Sequence, residues 1–155
     1  MLTRRSRARE VALQLLFQKD QNPKSVARAA VEQFARDRLL DDAELAAYCL
    51  SLVDGVTRHQ AEIDPKISAV AENWRLTRML PVDRNVLRLG AFELLFDPEK
   101  QPIPVVIDEA IELARRYGST DSPKFVNGIL DKLAQSRTDS APVVADQSQP
   151  TESPS

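Results

Sequence analysis

The chain has few residues of the types that hold metals or form covalent links. Its 155 residues include one cysteine, Cys49, and one histidine, His59. A single cysteine excludes an intramolecular disulfide and a thiolate zinc site, and a single histidine excludes a two-histidine metal site. The four glycines form neither a G-x-G-x-x-G turn nor a G-x-x-x-x-G-K-[ST] loop, so the usual phosphate-binding loops are missing. These shortages favour a binding protein without metal or cofactor over an enzyme.

The sequence also shows no stretch with the pattern of a targeting signal or of a membrane-spanning helix. The basic start is followed by polar residues among the apolar ones, as at Glu10 and Gln14, which is unlike the core of a signal peptide. Apolar runs such as Leu94-Leu95-Phe96 are far shorter than the roughly 20 residues of a membrane span. With a free cysteine, this predicts a cytoplasmic protein with no membrane contact.

The charge is nearly balanced but unevenly distributed. There are 21 Lys and Arg against 23 Asp and Glu, a net charge of -2. Residues 136–155 carry Arg137 against Asp139, Asp146 and Glu152, so this segment accounts for the whole net charge and residues 1–135 are neutral. Because 136–155 is rich in Ser, Pro and Gln, we predict a disordered polar tail there.

The body of the chain predicts helices throughout. Apolar residues recur at helical spacing in six stretches, and no stretch alternates with a period of two. The pattern predicts six or seven helices around one core, with an N-terminal half at about 1–60 and a C-terminal half at about 61–135. The segment from Leu80 to Phe96 is apolar on more than one face, which is typical of a buried central helix.

Several residues predict where helices begin and end. The pairs at 22–23, 64–65 and 122–123 each place a capping side chain before a proline, as at the start of a helix. Asp41 and Glu44 resemble a capping box, and Gly118 after Arg115-Arg116-Tyr117 predicts a helix end.

The sharpest local feature is an arginine cluster at the start of the first predicted helix. Arg4, Arg5, Arg7 and Arg9 precede the first acid, Glu10. A helix N-terminus disfavours cations, so a cluster there suggests an external anion, for which phosphates are the obvious candidate. A solvated, frayed terminus is the equally weighted alternative.

Four other residues have a plain explanation that we favour over a functional one. Phe17 could stack on a base, but a helix buried on two sides explains it better. Gly128, inside a helical pattern, favours close helix packing over close approach by a ligand. Cys49 lies on an apolar stripe and predicts a buried thiol, and His59 predicts a solvated or charge-compensating position near a helix end.

Four motifs in order carry a family resemblance. RRSRAREVALQLLFQ at 4–18, VDRNVLRLGAFELL at 82–95, IPVVIDEAIELARRYG at 103–118 and KFVNGILDKLA at 124–134 strongly resemble the NusB family of bacterial transcription antitermination factors. The resemblance spans about residues 4–135. It implies a compact all-α bundle of about seven helices in two small subdomains. It also implies binding of boxA-type single-stranded RNA together with NusE, a small-subunit ribosomal protein, within an RNA polymerase antitermination complex on ribosomal RNA operons.

The resemblance also suggests site residues. The family's basic start matches Arg4, Arg5, Arg7 and Arg9 as RNA contacts, with Lys124 and Phe125 as further RNA candidates. Asp83 and Asp121 match positions near the family's partner-binding surface, which implies contact with NusE.

Two other classes of function stay open at this point. One is a protein–protein scaffold whose arginines touch no RNA. The other is a targeting module related to helical domains found fused to RNA cytosine methyltransferases, although this chain has no Gly-rich cofactor-binding segment. A homodimer is also compatible with the pattern.

Overall fold

The structure, a computed structural model, describes residues 3–22, 24, 26–72 and 74–137, and within them it is all-α. Six α-helices and one short 3-10 turn occur, and no described residue lies in a strand. This confirms the predicted fold class. The helices are α1 (Arg4–Gln21), α2 (Arg28–Arg38), α3 (Ala43–Ala71), α4 (Pro81–Leu95), α5 (Ile103–Tyr117) and α6 (Ser122–Ala134), with the 3-10 turn at Leu76–Arg78.

Helix α4 is the centre of the bundle, as its apolar sequence predicts. It packs against α1, α3, α5 and α6, and Val86, Leu87 and Ala91 have no exposed surface. Two glycines, Gly55 of α3 and Gly90 of α4, permit close approach, since an added methyl group would clash with Phe92 and Leu130 respectively. The core is therefore one continuous apolar cluster around α4.

A network of charged side chains joins α4 to α1 and α3. Arg84 donates from Nε to Asp20 of α1 at 2.7 Å, and Asn85 donates to the same carboxylate at 2.9 Å. One turn further on, Arg88 donates to Asp64 of α3 at 2.9 Å. Because these groups are half-buried or buried, the network determines how the three helices meet.

Two of the three predicted proline-led helix starts are wrong. Asp64-Pro65 lies inside α3, which runs unbroken across Pro65. Pro65 is exposed, whereas Ile63 and Ile67 on either side are fully buried, and their packing holds the helix continuous. Asn22 is the C-cap of α1 and its N–H donates to the Gln18 carbonyl at 2.9 Å, while Pro23 lies outside the described residues.

The other predicted boundaries hold to within a residue. Helix α6 begins at Ser122 with Asp121 as its N-cap, and α5 ends at Tyr117 with Gly118 as its C-cap. The cap of α3 is Asp42 rather than Asp41, and it accepts a hydrogen bond from the Leu45 N–H at 3.0 Å.

The predicted division into two halves near residue 60 stays a prediction, and Gln60 itself lies within α3. Of the predicted tail 136–155, residues 138–155 lie outside the described residues. Arg137, at its start, is 6% exposed and so still belongs to the folded body.

Candidate nucleic-acid and partner interface

Three of the four N-terminal arginines form an exposed surface on the first turns of α1. Thr3 caps this helix by accepting a hydrogen bond from the Ser6 N–H at 3.1 Å. The side chains of Arg4, Arg5 and Arg7 are 65%, 44% and 48% exposed. We call these three residues the N-terminal arginine patch. Their exposure leaves each guanidinium able to reach a phosphate.

Each arginine of this patch already has a carboxylate partner. Arg4 pairs with Asp42, Arg5 donates to Glu99 at 2.8 Å, and Arg7 lies 3.7 Å from Glu10. The hydrogen bond to Glu99 raises the pKa of Arg5 above its ordinary value. The pairs with Asp42 and Glu99 are exposed and therefore weak, so an incoming phosphate can replace those carboxylates at small cost.

Arg9, predicted as a fourth RNA contact, is buried. Its side chain is 3% exposed and its Nε and Nη2 donate to Glu93 at 2.9 Å each, with Glu109 at 3.8 Å. Burial lowers the pKa of Arg9, but the hydrogen bonds and charge of Glu93 outweigh burial and the pKa is raised. The structure does not support direct phosphate contact by Arg9, because helices α4 and α5 cover it. Its place is in the core of the bundle.

Two further arginines lie beside the patch, and the sequence pattern did not single them out. Arg7 donates to the Arg38 carbonyl at 3.3 Å, and the Arg38 guanidinium lies 4.5 Å from the centre of the Phe34 ring. Arg116 and Tyr117 of α5 both donate to the nearly buried Glu10 at 2.8 Å. The basic residues in the last turns of α2 and α5 are visible in the sequence, but only the packing of the helices brings them next to α1.

A shallow apolar groove adjoins this basic surface. It has a volume of about 360 Å³. Its lining residues come from α1, α2, α4 and α5 and are Leu13, Gln14, Phe17, Gln18, Phe34, Arg38, Val82 and Tyr117. We call it the aromatic groove. Phe17 is 37% exposed and Tyr117 41%, so the favoured prediction that Phe17 is buried is wrong, although Leu13 on the same face is buried.

The two partner candidates are connected through Ser122, which hydrogen-bonds to Asp83 and directly follows Asp121 in the chain. Asp83 follows Val82 in the first turn of α4, is 6% exposed, and has an Oδ1 atom without a hydrogen-bond partner among the described residues. Burial raises the pKa of Asp83, and a hydrogen bond from Ser122 opposes this. Asp121, the residue before Ser122, is exposed. The structure thus brings together two acids that are 38 positions apart.

Lys124 and Phe125 lie in the first turn of α6 and line neither the N-terminal arginine patch nor the aromatic groove. Lys124 is exposed, and Phe125 is half-buried with its ring edge against Trp74 at a centroid distance of 5.6 Å. Trp74 is 54% exposed.

The scarce residues lie in structural positions. Cys49 is fully buried, which confirms the predicted buried thiol, and burial raises its pKa to about 12. His59 lies in the middle of α3 and stacks on Phe96 at 4.6 Å, so its predicted place near a helix end is wrong. Among the described residues there is no group of three or more His, Cys, Asp or Glu side chains that could hold a metal.

Gly128 differs from its predicted role. A methyl group at this position would meet no heavy atom of the described residues within 4 Å, so packing between the described helices does not explain the glycine. None of the described helices is long and apolar enough to span a membrane.

These features describe a helical binding protein with exposed arginines and an adjacent apolar groove. The model of the NusB family matches residues 6–135. The transcription antitermination protein NusB of Sorangium cellulosum is 49% identical over 131 residues, 84% of this chain and 91% of that protein. The NusB of Anaeromyxobacter dehalogenans is 48% identical over 134 residues, 86% of this chain and 92% of that protein.

Solved structures agree with the sequence matches. The crystal structure of T. maritima NusB superposes with a TM-score of 0.76 at 40% identity, covering 88% of this chain and 94% of that chain. A crystal structure of the antitermination factors NusB and NusE in complex with double-stranded RNA has a TM-score of 0.73 at 28% identity, covering 87% and 98%. The chain belongs to the NusB family of transcription antitermination factors, which confirms the predicted family. Members of this family are not enzymes, and this confirms the prediction that the chain is a non-enzymatic factor.

Proposed function

We propose that this chain binds boxA-type single-stranded RNA together with NusE and acts within the RNA polymerase antitermination complex on ribosomal RNA operons, in the cytoplasm. The observation that carries the proposal is the N-terminal arginine patch, which is exposed at the start of a rigid helix. The solved relative that holds NusE and RNA supports it. Arg4, Arg5 and Arg7 neutralise phosphates, while the bases and the partner provide specificity.

The carboxylate partners of the patch have a function in this proposal. They hold the guanidinium groups at fixed places on the surface while no RNA is present. A phosphate replaces an exposed carboxylate at little net cost, because the oxygens of both groups accept hydrogen bonds from the guanidinium. Affinity then depends on salt through the counterions that the RNA releases.

A basic ribosomal protein docks on the aromatic groove and the adjacent acids. Phe17 and Tyr117 offer apolar surface there, and aromatic residues of this kind are enriched at interface centres. Among the described residues the Asp83 Oδ1 atom has no hydrogen-bond donor, and Asp121, next to the Ser122 that hydrogen-bonds to Asp83, is exposed. A cation of the partner supplies that donor, which removes the cost of an unpaired buried oxygen.

The test for RNA binding is a titration with boxA-like RNA over a salt series. Replacing Arg5 and Arg7 by Ala should weaken binding and lower the salt slope by about 0.7 per lost phosphate contact. Arg28→Ala is the matched control, because Arg28 is also exposed and paired with a carboxylate, Asp54, at 2.8 Å. Equal loss in the control, or no loss in the patch variants, would contradict the assignment. A duplex RNA of the same sequence shows whether the single strand is preferred.

Partner docking is tested separately. Asp121→Lys should weaken binding of NusE more than binding of RNA alone, since it places a cation against a basic protein. Asp108→Lys on α5 is the control, because Asp108 is also an exposed acid. If Asp121→Lys instead weakens RNA binding more, the loop before α6 belongs to another surface.

The ion pairs of the N-terminal patch favour one alternative, a protein–protein scaffold without RNA contact. Every arginine of the patch has a partner within the chain, as a purely structural role requires. In that case RNA binding is absent at all salt concentrations, while NusE still binds. Homodimer formation is a further prediction, checked by the mass in light scattering with and without RNA.

A further inference from the structure

One arginine of the N-terminal patch lies on the face of a tyrosine. The central carbon of the Arg5 guanidinium is 4.2 Å from the centre of the Tyr48 ring, well within the distance of about 6 Å at which a ring face attracts a cation. Tyr48 belongs to the second turn of α3, which packs against α1. Among the described residues, neither Arg4 nor Arg7 lies over an aromatic ring. Arg5 therefore has a support that the other two arginines of the patch lack.

The ring face of Tyr48, and not its hydroxyl group, makes this contact. Burial raises the pKa of Tyr48 to about 12, so the phenol is neutral at physiological pH and forms no ion pair with Arg5. The hydroxyl oxygen is buried and has no hydrogen-bond partner among the described residues. An unpaired hydroxyl group costs free energy, whereas the ring attracts a cation. The aromatic face is what this position contributes to the patch.

The Tyr48 ring is held in place by the bundle. Tyr48 is half-buried and packs against the apolar core. Arg9, one turn after Arg5 on the same face of α1, also lies near the ring, 6.0 Å from its centre. Arg9 is itself fixed by its buried pair with Glu93. The exposed Arg5 side chain thus lies on a rigid surface.

Two contacts restrain Arg5, and a phosphate replaces only one of them. Its Nη1 and Nη2 atoms donate to Glu99 at 2.8 and 3.4 Å, and this pair is exposed. A phosphate takes the place of the carboxylate at the edge of the guanidinium, while the flat face of the guanidinium stays on Tyr48. An unrestrained arginine side chain has many rotamers, and losing them opposes binding. The tyrosine removes part of that freedom before RNA arrives.

We infer that Tyr48 is a positioning residue of the RNA site, whose ring holds the Arg5 guanidinium in the orientation that meets a phosphate. Tyr48 acts through Arg5 and does not itself contact RNA. The inference rests on the proposed RNA-binding function and deepens it, because it assigns to one residue of α3 the orientation of one phosphate contact. Contacts between a cation and an exposed ring face correspond to a two- to fivefold effect on affinity, which is about the size of effect expected here.

The experiment measures binding of a labelled boxA-like single-stranded RNA to the full chain by anisotropy, in a double-variant cycle. Tyr48→Leu should weaken binding about two- to fivefold, and Tyr48→Phe should restore the affinity because it keeps the ring face. In an Arg5→Ala background Tyr48→Leu should have no further effect, whereas in an Arg7→Ala background it should have its full effect. Equal losses in both backgrounds would overturn the inference, because Tyr48 would then act on the fold or on the whole patch.

A salt series separates orientation from loss of the contact. Tyr48→Leu removes no charge and leaves Arg5 able to reach the phosphate, so its salt slope should equal that of the unaltered chain, whereas Arg5→Ala should lower the slope by about 0.7. A slope lowered by Tyr48→Leu would contradict the assigned role. Phe96→Leu is the matched control, since Phe96 is also half-buried and packs on the core but its ring lies on His59 at 4.6 Å. This control should bind RNA as the unaltered chain does.

A measurement on the unaltered chain makes the test independent of any loss of folding in Tyr48→Leu. Nuclear Overhauser effects between the Arg5 side chain and the Tyr48 ring should be present in the free protein and should persist when RNA is added. Their disappearance in the complex would show that Arg5 leaves the ring to bind RNA, which would overturn the inference.

The outcomes distinguish this inference from the function on which it rests. If Arg5→Ala weakens RNA binding and folded Tyr48→Leu does not, the role of Tyr48 is wrong and the proposed function stands. If the unaltered chain binds no RNA at any salt concentration, both are wrong.

Discussion

The buried pair of Arg9 and Glu93 provides the most decisive test of how this structure uses its N-terminal arginines. The two side chains are 3% and 2% exposed, and three nitrogen–oxygen contacts of 2.9 to 3.2 Å join them. Arg9→Ala leaves the Glu93 carboxylate buried without its main partner. Breaking a buried pair in this way costs about 3–5 kcal/mol, a large part of the stability of a small domain.

The assay is urea unfolding followed by helical circular dichroism, with Arg5→Ala as the control. Arg5 belongs to the same cluster, but its pair with Glu99 is exposed, so its removal should cost at most about 1 kcal/mol. The double variant Arg9→Met/Glu93→Leu should recover most of the lost stability, because it removes both charges and keeps the volume. RNA affinity of folded Arg9→Ala should stay near that of the unaltered chain.

Two results would refute this reasoning. One is an Arg9→Ala protein as stable as the Arg5→Ala control, which would mean that the pair is not buried in solution. The other is a normally stable Arg9→Ala protein with much weaker RNA binding, which would make Arg9 a direct RNA contact.

Three further predictions concern glycine packing and two buried titratable groups. In urea unfolding, Gly55→Ala should destabilise the fold by about 1–3 kcal/mol, because its methyl group clashes with Phe92. Gly128→Ala should instead stabilise the fold by up to about 1 kcal/mol. Equal effects of the two substitutions would contradict the packing described. The Cys49 thiol should react with a disulfide reagent at about pH 8 only as fast as the protein unfolds, since burial raises its pKa to about 12; rapid native labelling would show an exposed thiol. Because burial raises the pKa of Asp83, its protonated form stabilises the native state, and this contribution to stability is lost as pH rises through that pKa. The Asp83→Asn variant should therefore become more stable relative to the unaltered chain between acidic and neutral pH. A constant difference in stability across that range would count against the burial of this carboxyl.

Helix content and the identity of the central helix could be predicted from the sequence. Apolar spacing is a local property, and the all-round apolar face of α4 can only be satisfied by neighbours on every side. The family motifs are local in the same sense. Boundaries were less predictable, because the continuity of α3 across Pro65 depends on the packing of Ile63 and Ile67 and not on the proline itself.

The candidate site could be predicted only in part. The arginine cluster is visible in the sequence, yet the four positions look equivalent there. Helix geometry directs Arg9 inward and the other three outward, and the partner of Arg9 lies 84 positions away. The packing of Trp74 on Phe125 also joins residues far apart in the sequence, so no local pattern shows it.

By itself, the sequence determined that this is a helical chain with a basic start and a family likeness. Those properties follow from composition and from patterns within one or two helical turns. Tertiary structure alone decided which cations are buried, paired or free, and why Gly128 stands open to solvent. The physical reason is that burial and charge pairing depend on which distant helix covers a side chain. That information is distributed over the whole bundle and is absent from any single segment.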